Sequence, residues 1–270
     1  MTRLQREYAH LPGKRMVFID QNTEPWFEAR TTCRFTASAV PGMMGFGYNP
    51  WRVCWGELTG QRVRPPANAF LQRLLDRGHE KEEECKEWLR AAPWDWTIYE
   101  GGFWWCPTEP SWGASPDGLV ALEDGTLALL EVKAPKFVES AAIGTDKYIA
   151  YRIQIEFQMM CTGLDHAVLV VFSSPDEYAM HELGSSPELR FLIRTRLRHL
   201  SNALDRRFEP DPPSPHDRLR ARAICAAQDP TPPPNPRLCC PRAPSTPASP
   251  DSAESTCTAP TPATAPSPTQ

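Results

Sequence analysis

The sequence predicts an α/β sandwich, a mixed central sheet flanked by helices, and three observations carry that prediction. Between Asp117 and Glu131 lie two short runs rich in Leu, Val and Ala, joined by the polar turn Glu123-Asp124-Gly125, which is the signal for a β-hairpin. On either side, at about 67–91 and 147–161, apolar residues recur as buried or amphipathic helices require. Further strand-like segments at 167–172 and 178–183 precede a closing helix at 190–207, so helices and strands share one domain.

Taken in chain order, Thr23 is placed to cap a short helix that runs through Arg30, and Thr36-Ala37-Ser38 reads as the entry of another. Gly42, Gly45 and Gly47 fit no nucleotide-binding fingerprint and read as turn glycines before a helix at 51–59. In the helix at 67–91, Leu71, Leu74, Leu75, Gly78, Cys85 and Leu89 form one stripe, and Glu82 falls on it among otherwise solvent-facing glutamates. A buried carboxylate needs a partner, and either a metal site or a salt bridge to Arg73 or Lys86 supplies one. Trp94, Trp96, Trp104, Trp105 and Trp112 read mainly as core and strand packing, with base stacking the alternative role for one of them. The helix at 147–161 carries Ile153, Ile155, Phe157, Met159 and Met160, and sets Tyr151, Gln154 and Gln158 on one side at intervals of three and four.

Chemistry concentrates at Asp117, Glu131 and Lys133. Pairing the hairpin strands brings Asp117 towards Glu131, and strand alternation puts Glu131 and Lys133 on one face with Val132 on the other. Two carboxylates about 4 Å apart at an effective dielectric of about 20 repel by about 4 kcal/mol, which favours a cation between them. Hard oxygen ligands with no His or Cys pair nearby point to magnesium or manganese and to phosphate chemistry. Taken alone, the same residues also describe a turn aspartate and an ordinary solvated strand.

The neighbouring segments favour the catalytic reading. Pro116-Asp117, a spacer and Glu131-Val132-Lys133 resemble the PD-(D/E)xK (restriction-endonuclease-like) nuclease signature, and the surroundings resemble its phage lambda exonuclease and YqaJ viral recombinase branch. The further segments, in the branch's chain order, are Trp26-Phe27-Glu28-Ala29-Arg30 with Phe35-Thr36-Ala37-Ser38, then Gly78 to Glu82, Ser115-Pro116-Asp117-Gly118, and Tyr151-Arg152-Ile153-Gln154. The resemblance covers about 26–173. It implies a divalent-metal-dependent DNA exonuclease, 5′-to-3′ on duplex ends. By that resemblance Asp117, Glu131 and the Val132 carbonyl would hold Mg2+ or Mn2+, Glu82 would support the metal centre, and Lys133 and Gln154 would orient the attacking water. By the same analogy Arg30, Ser38 and Ser115 would grip a 5′-phosphate, although the gap between Arg30 and Thr-Ala-Ser is one residue longer than usual. Glu156 replaces the family's second Gln. Duplex DNA ends are the implied partner; a single-strand annealing protein and further copies of the chain are compatible ones. A structure-specific or restriction-like endonuclease and a catalytically silent DNA-end-binding scaffold are the alternatives.

Composition bounds the rest. Of 30 prolines, 17 fall from Pro210 onward, and Trp, Tyr and Phe vanish after Phe208. Such a segment cannot bury enough apolar surface to fold, so a domain over 1–209 and a disordered tail over 210–270 are expected. The nine cysteines include no Cys-x-x-Cys pair, so reduced thiols are expected and an iron–sulfur cluster is not. No apolar run suits a membrane span or signal peptide, which gives the expectation of a soluble intracellular protein with no membrane partner, nucleus and cytoplasm not being distinguished. The formal charge of −4 does not exclude DNA, because a nuclease localises its basic residues. The arginines of 190–207 are the densest basic group, either phosphate-contacting or merely solvated.

Overall fold

The computed structural model describes residues 15–229, except 18, 48, 50, 64, 93 and 95. The chain runs β1 (Arg15–Val17), α1 (Glu24–Thr31), β2 (Phe35–Thr36), α2 (Val40–Met43), α3 (Trp51–Leu58), α4 (Ala69–Ala91), β3 (Thr97–Glu100), β4 (Phe103–Trp105) and β5 (Trp112–Ala114). It continues through β6 (Gly118–Ala121), β7 (Leu127–Lys133), a 3-10 turn (Val138–Ala141), α5 (Asp146–Thr162), β8 (His166–Ser174), β9 (Glu177–Gly184), α6 (Pro187–Arg206) and α7 (Pro215–Gln228).

The strands form two mixed sheets rather than one. The larger has the order β3-β6-β7-β8-β9, antiparallel throughout except for the parallel pair β7 and β8. The parallel pairing needs a crossover, which α5 provides. The smaller sheet has the order β1-β4-β5-β2, with β2 parallel to β5.

Strand alternation sorts the larger sheet into two faces. Ala128, Leu130 and Val132 of β7 join Val168, Val170 and Phe172 of β8 in a core beneath Cys85 and Leu89 of α4. Leu129, Leu169 and Val171 face Tyr148, Tyr151, Ile155 and Met159 of α5. The opposite side of α5 supplies Ile149, Ile153, Phe157 and Met160 to a third core with Trp112 and the apolar stripe of α6. Helix α5 is therefore buried all round, which explains why its sequence is apolar without a single clean stripe.

Local chemistry sets the element ends. The predicted hairpin turns at Gly125, whose φ of 81° is left-handed, with Asp124 Oδ1 accepting from Thr126 N at 2.8 Å. Thr145 caps α5, Ser186 caps α6 and Asn68 caps α4 through their side chains, whereas Gly163 ends α5 at a φ of 71°. Thr23 departs from its expected role: it stands at the start of α1, but its hydroxyl donates back to the Asp20 carbonyl at 2.7 Å instead of capping. Thr36 belongs to β2, and the short helix expected at 36–38 starts later, at Val40.

Two other expectations are corrected. The apolar stripe of α4 is buried only in its second half; Leu71, Leu74 and Leu75 stay exposed, while Cys85, Lys86 and Leu89 pack on the sheet. Folded structure also continues past Pro210. Helix α7 is capped by Ser214 and opened by Pro215, and it buries Ala221 and Cys225 against the core containing α6. Its contact face is built from small residues, which give a weak periodic signal amid prolines. The remainder of the expected tail, 230–270, lies outside the described residues, as do 1–14 of the expected domain.

Candidate active site

Asp117 lies in the tight connection between β5 and β6, and its Oδ2 accepts the Val132 N–H at 2.8 Å. The hairpin therefore joins the start of β6 to the end of β7, as strand pairing predicted. Glu131 is 1% exposed, with both oxygens engaged. Lys133 and Gln154 donate to its Oε1, and Gln158 donates to Oε2 at 2.7 Å. Glu131 and Lys133 share the α5 face of β7, so the alternation argument holds. The Lys133 ammonium also stands 5.6 Å from the centre of the Tyr151 ring.

The carboxylates feel one another. Burial first, then the charge of Asp117, pushes Glu131 up to about 7 and Glu82 up to about 7. Burial works to lower the Lys133 pKa, but Glu131 and Asp117 outweigh it and hold the amine above its ordinary value, so it remains an ammonium. Of the two partners considered for Glu82, the structure shows the salt bridge to Lys86. Glu82 accepts from the buried Lys86 ammonium at 2.7 Å, and it lines a cleft of about 400 Å³ together with Asp117, Lys86 and His79.

A second group converges next to these. Arg30 Nη2 lies 3.3 Å from Ser38 Oγ and 3.5 Å from Thr36 Oγ1, so the extra residue between Arg30 and Thr36 is absorbed by the loop. The guanidinium stacks 4.4 Å above the Trp26 ring, and the Trp26 indole N–H donates to Ser115 Oγ at 3.0 Å. Arg30, Ser38 and Ser115 thus form one linked set around Trp26, two residues along the chain from Asp117. Ser115 donates in turn to the Gly102 carbonyl at 3.2 Å. The neighbouring Gly101 leaves no space for a side chain, since a Cβ there would come within 1.9 Å of the Pro116 carbonyl oxygen.

Two residues emerge that the sequence did not single out. Gln158 was visible on the Gln154 side of the helix, but nothing in the sequence gave it a carboxylate partner. Trp26 lay in a quoted motif without a role. Glu156 points elsewhere: it accepts from Arg152 at 3.1 Å, Arg190 at 2.7 Å and the Ser186 N–H at 3.0 Å in a buried ionic network. The arginines of α6 are mostly committed to protein partners as well, Arg198 to Glu109 and Arg196 to the Met43 carbonyl. Trp104 and Trp112 are buried, and Trp94 packs between Trp88 and Trp96.

Among the described residues, no three His, Cys, Asp or Glu side chains close into a metal cage. The donors present suit a hard cation that keeps part of its own water, because magnesium is commonly held by one or two carboxylates. Asp117 and Glu131 are the pair that could hold it, with Glu82 nearby. The raised carboxylate pKa values come from burial first and from the charge of Asp117 second, with Lys133 and Lys86 offsetting part of both. No helix among the described residues is long and apolar enough to cross a membrane.

Comparison with known proteins agrees with this geometry. A model of the YqaJ-like viral recombinase domain matches residues 25–165, slightly more than half the chain. A crystal structure of LHK-Exo in complex with dAMP is 28% identical, with a TM-score of 0.54, and the match covers 68% of this chain and 94% of that one. A second, of an alkaline exonuclease (LHK-Exo) from Laribacter hongkongensis, is 27% identical with a TM-score of 0.53 over the same shares of both chains. No curated protein is similar enough in sequence to count as a match.

Proposed function

The chain belongs to the YqaJ-like viral recombinase family, and from that premise we propose that it is a divalent-metal-dependent DNA exonuclease that degrades duplex ends from 5′ to 3′. The observation that carries the reading is the adjacency of two unlike groups, carboxylates with an ammonium at Asp117, Glu131 and Lys133, and the linked Arg30, Ser38 and Ser115. The first suits a scissile phosphate and the second a terminal one. Similarity to LHK-Exo, an alkaline exonuclease known in complex with dAMP, supports release of mononucleotides.

In this reading Asp117 and Glu131 would hold Mg2+, with the Val132 carbonyl as a further ligand and Glu82 beside them. The bound cation supplies Lewis acidity towards the phosphoryl oxygen and lowers the pKa of a water. Lys133 and Gln154, which donate to Glu131 Oε1 in this structure, would be the two donors available to the scissile phosphate and the attacking water if that carboxylate held the ion. Lys133, held cationic, offsets charge on the phosphoryl oxygens as the bond breaks, and Gln154 orients the attacking water. Gln158 keeps Glu131 Oε2 in place. Arg30 offers its fork to the 5′-phosphate, aided by the Ser38 and Ser115 hydroxyls, and so sets the length of one step.

The test is digestion of linear duplex DNA with 5′-phosphate or 5′-hydroxyl ends, alongside closed circles, in magnesium or EDTA, by the wild type and Lys133→Ala. Magnesium-dependent release of mononucleotides from phosphorylated ends, lost in the variant, is expected. Cleavage of the closed circle would move the assignment to an endonuclease. Binding to ends without cleavage would leave the scaffold.

A further inference from the structure

Cys106 and Cys161 are buried neighbours that the proposed reaction does not use. Cys106 follows β4 directly, Cys161 lies in the last turn of α5, and both side chains belong to the core that α5 shares with α6. Cys106 Sγ lies 3.5 Å from the carbonyl oxygen of Met160, the residue bonded to Cys161, and the Cys161 thiol is itself within hydrogen-bonding reach of Cys106. Both are free cysteines.

The chain after Cys106 builds an anion site around its sulfur. The Thr108 hydroxyl lies 3.5 Å away, and the backbone N–H groups of Thr108 and Glu109 donate to the same atom. The turn is held in that shape from outside. The Cys106 N–H donates to the Trp112 carbonyl at 2.9 Å, the Trp112 N–H donates to the Glu109 carbonyl at 2.8 Å, and Arg198 pairs with the Glu109 carboxylate at 2.8 Å. A neutral thiol is a weak acceptor with little use for so many donors, whereas a thiolate is stabilised by each of them. The hydrogen bond from Cys161, reinforced by Thr108 and Glu109, outweighs burial and brings Cys106 down to about 6. Burial first, then Cys106, keeps Cys161 well above its ordinary value. One sulfur is thus set up as a nucleophile and the other as its protonated neighbour. Cys106 is 1% exposed, but Pro107 and Thr108 are exposed, so the sulfur lies beneath a surface turn.

We propose that Cys106 and Cys161 are a modification site, a dithiol that a small hydroperoxide oxidises to a disulfide fastening α5 to the connection between β4 and β5. The Cys106 thiolate attacks one peroxide oxygen, the O–O bond breaks, and the departing hydroxide takes up the proton that Cys106 had released, leaving water and a sulfenic acid. The Cys161 sulfur then attacks the sulfenic sulfur, the S–O bond breaks, and the hydroxyl leaves with the Cys161 proton as a second water. The two thiols lose the two electrons that the peroxide gains. The bridge lies about one helical turn beyond Gln158, and it ties the helix that holds Glu131 to the hairpin whose second strand runs into Ser115 and Asp117.

The full chain, reduced and then freed of reductant, would be treated with hydrogen peroxide, digested with its disulfides preserved and mapped by mass spectrometry. The expected product is a linked pair of peptides carrying Cys106 and Cys161, about 2 Da lighter than the two reduced peptides together and separated again by dithiothreitol. Melting temperature should rise by about 5 °C or more on oxidation, because the bridge closes a long loop of the unfolded chain. Cys106→Ala and Cys161→Ala should each abolish that rise, and should either fail to fold, the wild-type map still decides the pairing. Thr108→Val keeps both cysteines, changes an exposed position and should slow bridging several-fold. Both thiols left reduced overturns the proposal. So does a bridge from either one to Cys33, the partly buried thiol whose charge also reaches Cys161, or a sulfinic acid at Cys106 beside a free Cys161. An unchanged bridging rate in Thr108→Val overturns Cys106 as the attacking sulfur. None of these readouts uses DNA, so they stand or fall apart from the nuclease reading.

Discussion

Replacing Glu156 with Leu separates the two sides of α5. Arg152 is 1% exposed and Glu156 fully buried; Arg152 also donates to the Gly184 carbonyl at 2.7 Å and lies 3.3 Å from Asp229. Burial pushes Glu156 above its ordinary value against the pull of Arg152 and Arg190, so its own ionisation is no net gain. The cost of the substitution comes from leaving the Ser186 N–H without its acceptor and the buried Arg152 with only Asp229 and the Gly184 carbonyl, and removing one partner of a buried ion pair costs about 3–5 kcal/mol. That is a large part of the roughly 5–15 kcal/mol that holds a domain together. With an m-value of about 2 kcal/mol/M, the urea midpoint followed by far-UV circular dichroism should fall by about 1.5–2.5 M. Activity of the still-folded variant in the cold should stay near wild type, since Glu156 does not touch Glu131. A midpoint shift below about 0.5 M, or a folded variant without activity, would refute this reasoning.

Four other outcomes follow from the site. Gln158→Leu, which removes the donor to Glu131 Oε2, should lower the rate or metal affinity by about 10–100-fold with the fold retained, as magnesium titration of initial rates would show. Arg30→Ala should erase the preference for 5′-phosphate over 5′-hydroxyl ends, a loss of about tenfold or more on phosphorylated DNA. In EDTA, Glu82 and Glu131 hold protons up to about 7 that an unfolded chain releases near 4.5, so the native state binds more protons in that window. Melting temperature without metal should therefore fall as pH rises through it, and magnesium should flatten the slope; a flat metal-free profile contradicts the raised carboxylates. A chain stopped after Glu209 lacks α7 and uncovers the core that Ala221 and Cys225 seal, and its melting temperature should drop well below that of the full chain.

Much of the site was legible because it depends on periodicities that backbone geometry enforces. The alternation of β7 put Glu131 and Lys133 on one face, and the short turn at Gly125 fixed the register that carries Asp117 to Val132. Arg30 and Ser38 were legible through their family pattern, although only the loop between them shows how the extra residue is absorbed. Gln158 was not readable as a partner of Glu131, because its contact spans 27 residues and depends on how α5 is rotated against β7. Helix α7 escaped notice because Ala and Cys bury little area each, leaving a faint stripe in a proline-rich stretch. The exposed first turns of α4 show the reverse error: an apolar stripe states that a face can be buried, and the reach of the sheet decides how much of it is.

Gly101 carries a consequence for genetics. The peptide before Asp117 rests directly on the backbone at Gly101, with no side chain between to yield, so any residue larger than Gly must displace the Pro116 carbonyl itself. A substitution there would leave every reactive side chain present and Arg30 still able to hold a terminal phosphate, yet move the carboxylate out of line. Under the proposed function, the product would be a poisoned enzyme, one that occupies DNA ends without trimming them and withholds them from the functional protein in the same cell.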